Sequence, residues 1–165
     1  MIYRMRLLQC LGVAGSLVLC ANALADSEGS ARLSCYAIGH SGAEPLGDRE
    51  GHSIAQDQYS CGVQGGLLDG GVVTGGAVWE YDKANAVQLS GSGVTRKPGA
   101  TAAYQNTEGK LALTMTNGKV TGFTGTGRGH YTMATGAAAA WNGKGYSFTF
   151  ATTGPSSFVV DVKMD

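Results

Sequence analysis

A period-two alternation of apolar and polar residues recurs along this chain and constrains the fold more than any other feature. Leu111, Leu113 and Met115 alternate with polar or small residues, and the segment 158–164 repeats the pattern. Such alternation is typical of β-strands with one face toward a core. No run of apolar residues keeps helical spacing beyond two turns, and only 137–140 suggests a single helical turn. The sequence therefore predicts an all-β protein.

Turn signals separate the alternating runs. The strongest are Asn117-Gly118 and Asn142-Gly143. Asparagine followed by glycine favours a two-residue type I′ turn, because both central residues of that turn need positive φ. We therefore expect antiparallel strands joined in sequence order at these points.

The runs and turns together predict an antiparallel meander of about eight strands, as in small barrels and sandwiches. A small closed barrel is favoured over a two-sheet sandwich, because short hairpins join neighbouring strands and closure removes exposed sheet edges. One strand is predicted to end near Lys97, where the chain enters a loop that leads toward Tyr104.

Residues 1–25 have the layout of a secretory signal peptide of the bacterial type. Arg4 and Arg6 supply a positive start, 7–19 is largely apolar, and small residues precede a cleavage site after Ala25. An alternative is a lipoprotein signal that ends at Cys20. It is disfavoured because Leu19 stands where such a signal has a small residue. The sequence thus predicts a single β-barrel domain over residues 26–165, located in the periplasm or outside the cell.

Cys35 and Cys61 are the two cysteines that remain after cleavage. In an oxidising compartment such a pair most simply forms a disulfide. The same cysteines with His40 and His52 offer four zinc-type ligands, but their spacing lacks the close pairs of structural zinc sites. We therefore expect a disulfide and no metal, with both histidines in solvent-exposed loops.

The balance of charges argues against a nucleic-acid partner. The chain has 12 basic and 12 acidic residues, and removal of the signal makes it slightly acidic. A nucleic-acid binder would need an excess of positive charge, so none is expected. No cofactor motif is present, and no membrane span is expected after signal cleavage.

Glycine is in excess, with 27 residues among 165. Gly125, Gly127 and Gly129 alternate within one predicted strand, on the face shared by Phe123, Tyr131 and Met133. Side chains are therefore missing from one patch of an apolar face. Either aromatic rings from other strands, such as those of Trp79, Trp141 or Phe148, pack onto this patch, or it opens a cavity.

The leading functional hypothesis is a non-catalytic barrel that binds a small apolar or amphipathic molecule. Its predicted ligand-binding residues are aromatic: Trp79, Tyr81, Phe123, Tyr131 and Phe148. Possible polar anchors are Arg128, His130 and Glu80. Two alternatives stay open: a structural or protein-interaction module of the cell envelope, and an isomerase-like or cyclase-like enzyme in which the three polar anchors converge inside the barrel.

Overall fold

The computed structural model describes residues 29–39 and 42–165. The predicted signal peptide and His40 lie outside the described residues. The described chain forms one nine-stranded antiparallel sheet in which each strand from β2 to β9 pairs with its neighbours in sequence. Its strands are β1 (Ser30–Ala37), β2 (Ala43–Pro45), β3 (His52–Gln64), β4 (Val72–Asp82), β5 (Asn85–Lys97), β6 (Ala100–Thr116), β7 (Lys119–Gly136), β8 (Gly145–Gly154) and β9 (Ser157–Met164).

The sheet closes into a barrel through pairing of β1 with β3. On one side β1 pairs with β9, and on the other it pairs with β3 from Arg32 opposite Gln64 to Ala37 opposite Tyr59. The short strand β2 lies outside the closed ring and pairs only with 53–55 of β3. The predicted eight-stranded closed barrel is thereby confirmed over the sandwich.

The closing pair of strands is also joined covalently. Cys35 and Cys61 stand directly opposite each other in the register of β1 and β3 and form a disulfide. Their exposed fractions are 1% and 2%. The predicted disulfide is therefore confirmed, and it spans the seam at which the sheet closes into a barrel.

The turns match the sequence predictions in part. Asn117 and Gly118 both have positive φ, 51° and 74°, as a type I′ hairpin requires. Asn142 instead has φ −50° and ψ 121° before Gly143 with φ 74°, which is type II geometry. The difference arises because this turn ends a longer connection that contains a 3-10 helix, Ala139–Trp141, rather than a two-residue hairpin.

The predicted loop before Tyr104 is wrong. Pro98 and Gly99 alone connect β5 to β6, and β6 runs without interruption from Ala100. Gly99 has φ 78°, so this residue supplies the reversal. The small residues at the start of β6 hide this strand in the sequence, because Ala100, Ala102 and Ala103 give no alternation of apolar and polar residues.

A register shift also corrects the predicted face of Met133. Ala103 and Tyr104 of β6 pair with Met133 and Tyr131 of β7, so Thr132 is an extra residue in β7. An extra residue of this kind, a β-bulge, reverses the side on which the following side chains lie. Met133 is therefore 55% exposed, whereas Tyr131 is buried. Within the described residues, no helix is long and apolar enough to cross a membrane.

Candidate functional site

The barrel encloses a cavity of about 350 Å³. All five aromatic residues predicted as ligand-binding, Trp79, Tyr81, Phe123, Tyr131 and Phe148, lie in its lining. Six further aromatic residues share that lining: Tyr59, Tyr104, Trp141, Tyr146, Phe150 and Phe158. The structure thus brings the predicted group together, and its role in binding stays a prediction.

The aromatic rings reach the interior because glycines of neighbouring strands make room for them. A Cβ atom at Gly125, Gly127 or Gly129 would collide with the ring of Phe150, Phe148 or Tyr146, respectively. The packing interpretation of this glycine patch is therefore right. Of the rings that the sequence suggested, only that of Phe148 occupies the glycine patch. Strand β8 pairs with β7, and Phe148 lies directly opposite Gly127.

The two ends of the barrel differ. The connections 65–71 and 137–144 lie at the same end, where they place the buried side chains of Leu68 and Ala138. Trp141 packs on Tyr131 there, with ring centroids 4.9 Å apart. At the opposite end the exposed turn residue Ser156 belongs to the cavity lining. Two connections thus cover the first end, whereas the cavity lining includes an exposed turn residue at the second end, which we call the mouth.

Several tyrosine hydroxyl groups line the cavity. The hydroxyl groups of Tyr59 and Tyr104 are 2.9 Å apart, and the Tyr146 hydroxyl donates to Asn106 Oδ1 at 2.7 Å. Burial raises the pKa of Tyr131 to about 12, and burial with the nearby charge of Asp57 raises the pKa of Tyr81 to about 12. These phenols therefore stay neutral at physiological pH and can both donate and accept hydrogen bonds.

The three predicted polar anchors do not line the cavity. Arg128 lies on the outer face of β7, where its side chain is 68% exposed and Nε is 3.7 Å from Glu108 Oε1. His130 follows it on the same face. Glu80 lies between two cavity-lining residues of β4 and points outward. These residues do not converge inside the barrel, so the cyclase-like arrangement of acid and base groups is absent from it.

The charged residue of the cavity is Asp57, which the sequence analysis missed. It lies on the inner face of β3 between Ala55 and Tyr59. The period-two alternation of 55–63 could have revealed it, because Asp57 shares a face with Cys61. Burial raises the pKa of Asp57 above its ordinary value.

His52 also departs from its prediction as a solvent-exposed loop residue. It is 8% exposed and begins β3 at the mouth. Its Nδ1 lies 2.5 Å from Asp48 Oδ1 and its Nε2 lies 2.8 Å from Glu80 Oε1. Because ionised carboxylates only accept hydrogen bonds, both ring nitrogens donate when both carboxylates are charged, and the ring is then an imidazolium. The Asp48 bond, and then the Glu80 bond, raise the pKa of His52.

The part of the chain that the structure describes contains no group of three or more histidine, cysteine or carboxylate side chains arranged to hold a metal ion. Comparison with known proteins adds no assignment. No protein-family model matches the sequence, and no curated protein matches it. The fold defines the class of the protein as a closed, eight-stranded antiparallel β-barrel.

Proposed function

We propose that this protein binds a small amphipathic molecule inside its barrel, without catalysing a reaction on it. The observation that carries the proposal is the aromatic cavity of about 350 Å³, whose lining includes an exposed turn residue at the mouth. Sites for small molecules are typically concave, mostly apolar and about 300–1,000 Å³ in volume, with a few polar groups that fix orientation.

The chemistry of the lining supports an amphipathic rather than a wholly apolar ligand. The aromatic rings pack against one another and form the apolar walls of the cavity. The ring centroids of Trp79 and Phe150, for example, are 5.8 Å apart. Tyr81 and Asp57 add polar atoms among them. A ligand with an apolar body and one polar group would match both parts of this surface.

The disulfide supports an oxidising location for this activity. Together with the signal-like residues 1–25, it favours the periplasm or the exterior of the cell. In that setting the protein would capture or carry its ligand outside the cytoplasm.

A titration with 1-octanol, followed by calorimetry, tests the proposal with a matched pair of variants. Ala77 is 6% exposed and lines the cavity, so Ala77→Leu adds three carbons inside it. Ala112 is exposed on the outer face of β6, so Ala112→Leu adds the same atoms outside. We expect one octanol per wild-type chain, similar binding to Ala112→Leu, and at least about tenfold weaker binding to Ala77→Leu.

Near-ultraviolet circular dichroism would establish that both variants are folded. Equal octanol binding by the two folded variants would place the ligand outside the cavity and contradict the proposal. If neither 1-octanol nor a charged amphiphile of the same chain length binds the wild-type protein, the proposal is also wrong.

Exposed apolar side chains favour a second candidate function, docking of another protein. Tyr36, Ile38 and Leu46 are 63%, 44% and 49% exposed, and all lie in or beside the connection between β1 and β3 at the mouth. Cross-linking in the native compartment tests this candidate. A specific partner should be captured by the wild-type protein and lost from a Tyr36→Ser/Leu46→Ser variant.

A further inference from the structure

The cavity lining carries a charge of only one sign. Among the described residues that line it, Asp57 is the one ionisable carboxyl group, and there is no arginine, lysine or histidine. The two basic residues predicted as polar anchors, Arg128 and His130, are on the outer face of β7. From the described lining residues, a ligand inside the barrel therefore meets one negative charge and no positive one.

Among the described residues, Asp57 has no partner that balances its charge. Its side chain makes no hydrogen bond and no ion pair with any described residue. Its register partner on β4 is Ala77, and its neighbour on the inner face of β3 is Ala55. Both are alanines, so space is left beside the carboxylate. Asp57 is half-buried, and a half-buried charge without a partner is unfavourable, so a bound cation would reduce that penalty.

Aromatic rings stand close to this carboxylate along the two strands. Tyr59 follows Asp57 on the inner face of β3, and Trp79 follows Ala77 on the inner face of β4. Aromatic faces attract cations through their negative π-electron density, and tryptophan does so most strongly. The same surroundings therefore suit an ammonium group and the apolar body attached to it.

We propose that the ligand is an organic cation, with its ammonium group beside Asp57 and its apolar body along the aromatic wall. This inference rests on the proposed binding function and narrows it to one class of ligand. An anionic amphiphile such as a fatty acid would place its carboxylate in a cavity with no counter-charge. Repulsion by Asp57 would weaken its binding further.

Three probes of equal chain length separate the headgroup from the chain. Octylammonium, 1-octanol and octanoate are titrated into the full-length mature protein by calorimetry below their aggregation concentrations. We expect octylammonium to bind at least about tenfold more tightly than 1-octanol, because a charge-assisted hydrogen bond is added. We expect octanoate to bind more weakly than 1-octanol.

Asp57→Asn removes the charge and keeps the size of the side chain. It should bring octylammonium binding down to that of 1-octanol while 1-octanol still binds. Glu108→Gln is the matched control, because it removes the same charge from the outer surface, where Glu108 is 62% exposed. This control should keep the preference for octylammonium.

The outcomes distinguish the two proposals. If octanoate binds as tightly as octylammonium, or if Asp57→Asn keeps the preference, the cation inference is overturned and the binding function survives. If none of the three probes binds the folded wild-type protein, the binding function is overturned and the cation inference fails with it. Bound 1-octanol in folded Asp57→Asn would show that loss of octylammonium preference is not a folding defect.

Discussion

At the scale of single residues, the interior is built by pairing aromatic rings with glycines on the next strand. Phe148 stands opposite Gly127 and Phe150 stands opposite Gly125 in the register of β7 and β8. On the neighbouring strands β4 and β5, Gly75 and Gly93 make room for the phenol group of Tyr104. The glycine excess therefore reflects close packing within strands as well as the turns that glycine favours.

This pairing predicts that a single methyl group at Gly127 is destabilising. In Gly127→Ala the new Cβ would collide with the Phe148 ring and approach the Glu108 carbonyl oxygen to 2.5 Å. Overpacking of this kind typically costs about 1–3 kcal/mol of unfolding free energy. Urea denaturation of the variant and the wild-type protein measures the difference.

Gly62→Ala is the control for that measurement. Gly62 also lies within a strand, β3, but a Cβ there has no heavy atom within 4 Å. We expect the unfolding free energy to stay the same or rise by less than about 1 kcal/mol. Equal losses in the two variants would mean that the glycines are not reserved for the rings.

At the scale of elements, a charged cluster ties the 46–51 loop to the barrel at the mouth. His52 of β3 bonds to Asp48 of the loop and to Glu80 of β4. Arg49 belongs to the same loop. Its Nη1 lies 3.2 Å from Asp48 Oδ2, and its Nη2 lies 3.6 Å from Asp82 Oδ2. The connection outside the closed ring is therefore held through charges that depend on pH.

The stabilising effect of His52 is expected to decrease as pH rises. Because its pKa is raised on folding, its contribution to stability is fully present below about 6.5, the ordinary value for histidine. The contribution is then lost as pH increases through the higher pKa of the folded state. Titration of the His52 ring resonances by nuclear magnetic resonance should give a midpoint above 6.5.

Two variants test the cause of this shift. Asp48→Asn should lower the midpoint more than Glu80→Gln, because the Asp48 bond is the larger contribution. A wild-type midpoint at or below 6.5 would contradict the cluster as described. The opposite order of the two variants would assign the main contact to Glu80.

At the scale of the whole molecule, closure of the barrel depends on the seam between β1 and β3. The connection between β1 and β3 includes β2, which lies outside the ring. The Cys35–Cys61 disulfide joins β1 to β3 across the seam. The two cysteines are 26 positions apart in sequence. A bridge that closes a loop of this length stabilises a fold by about 3 kcal/mol in the chain-entropy description.

Removal of this bridge is therefore expected to weaken the entire barrel. In a Cys35→Ala/Cys61→Ala variant, the unfolding free energy should fall by about 3 kcal/mol, and a reducing agent should have no further effect. The wild-type protein in reducing agent should show a similar loss. A change of less than about 1 kcal/mol in both cases would show that strand pairing alone closes the seam.

The sequence predicted the architecture well because its signals are local. Alternation within 110–116 and 158–164 and the turn at Asn117-Gly118 each concern a few consecutive residues. Closure followed from the general instability of exposed sheet edges. Five of the eleven aromatic lining residues were also predicted, because alternation places them on the inner faces of strands.

The remaining features depend on register, which alternation does not specify. The bulge opposite Ala103 and Tyr104 turns Met133 outward, although its spacing from Tyr131 predicts the inner face. One partner of the buried His52 ring is Glu80, which is 28 positions away in the chain. Asp57 was missed because an acidic residue within a strand ordinarily faces solvent, and only the closed barrel makes its face an interior one.

The most direct test of ligand binding is native mass spectrometry of the protein, purified without detergent from the compartment in which it accumulates. Protein loaded with 1-octanol serves as the positive control for survival of a non-covalent complex. We predict a single added mass per chain that is present in Ala112→Leu and absent from Ala77→Leu. A spectrum that contains only the bare chain, while the octanol-loaded control retains its complex, would contradict the binding of a natural ligand inside the barrel.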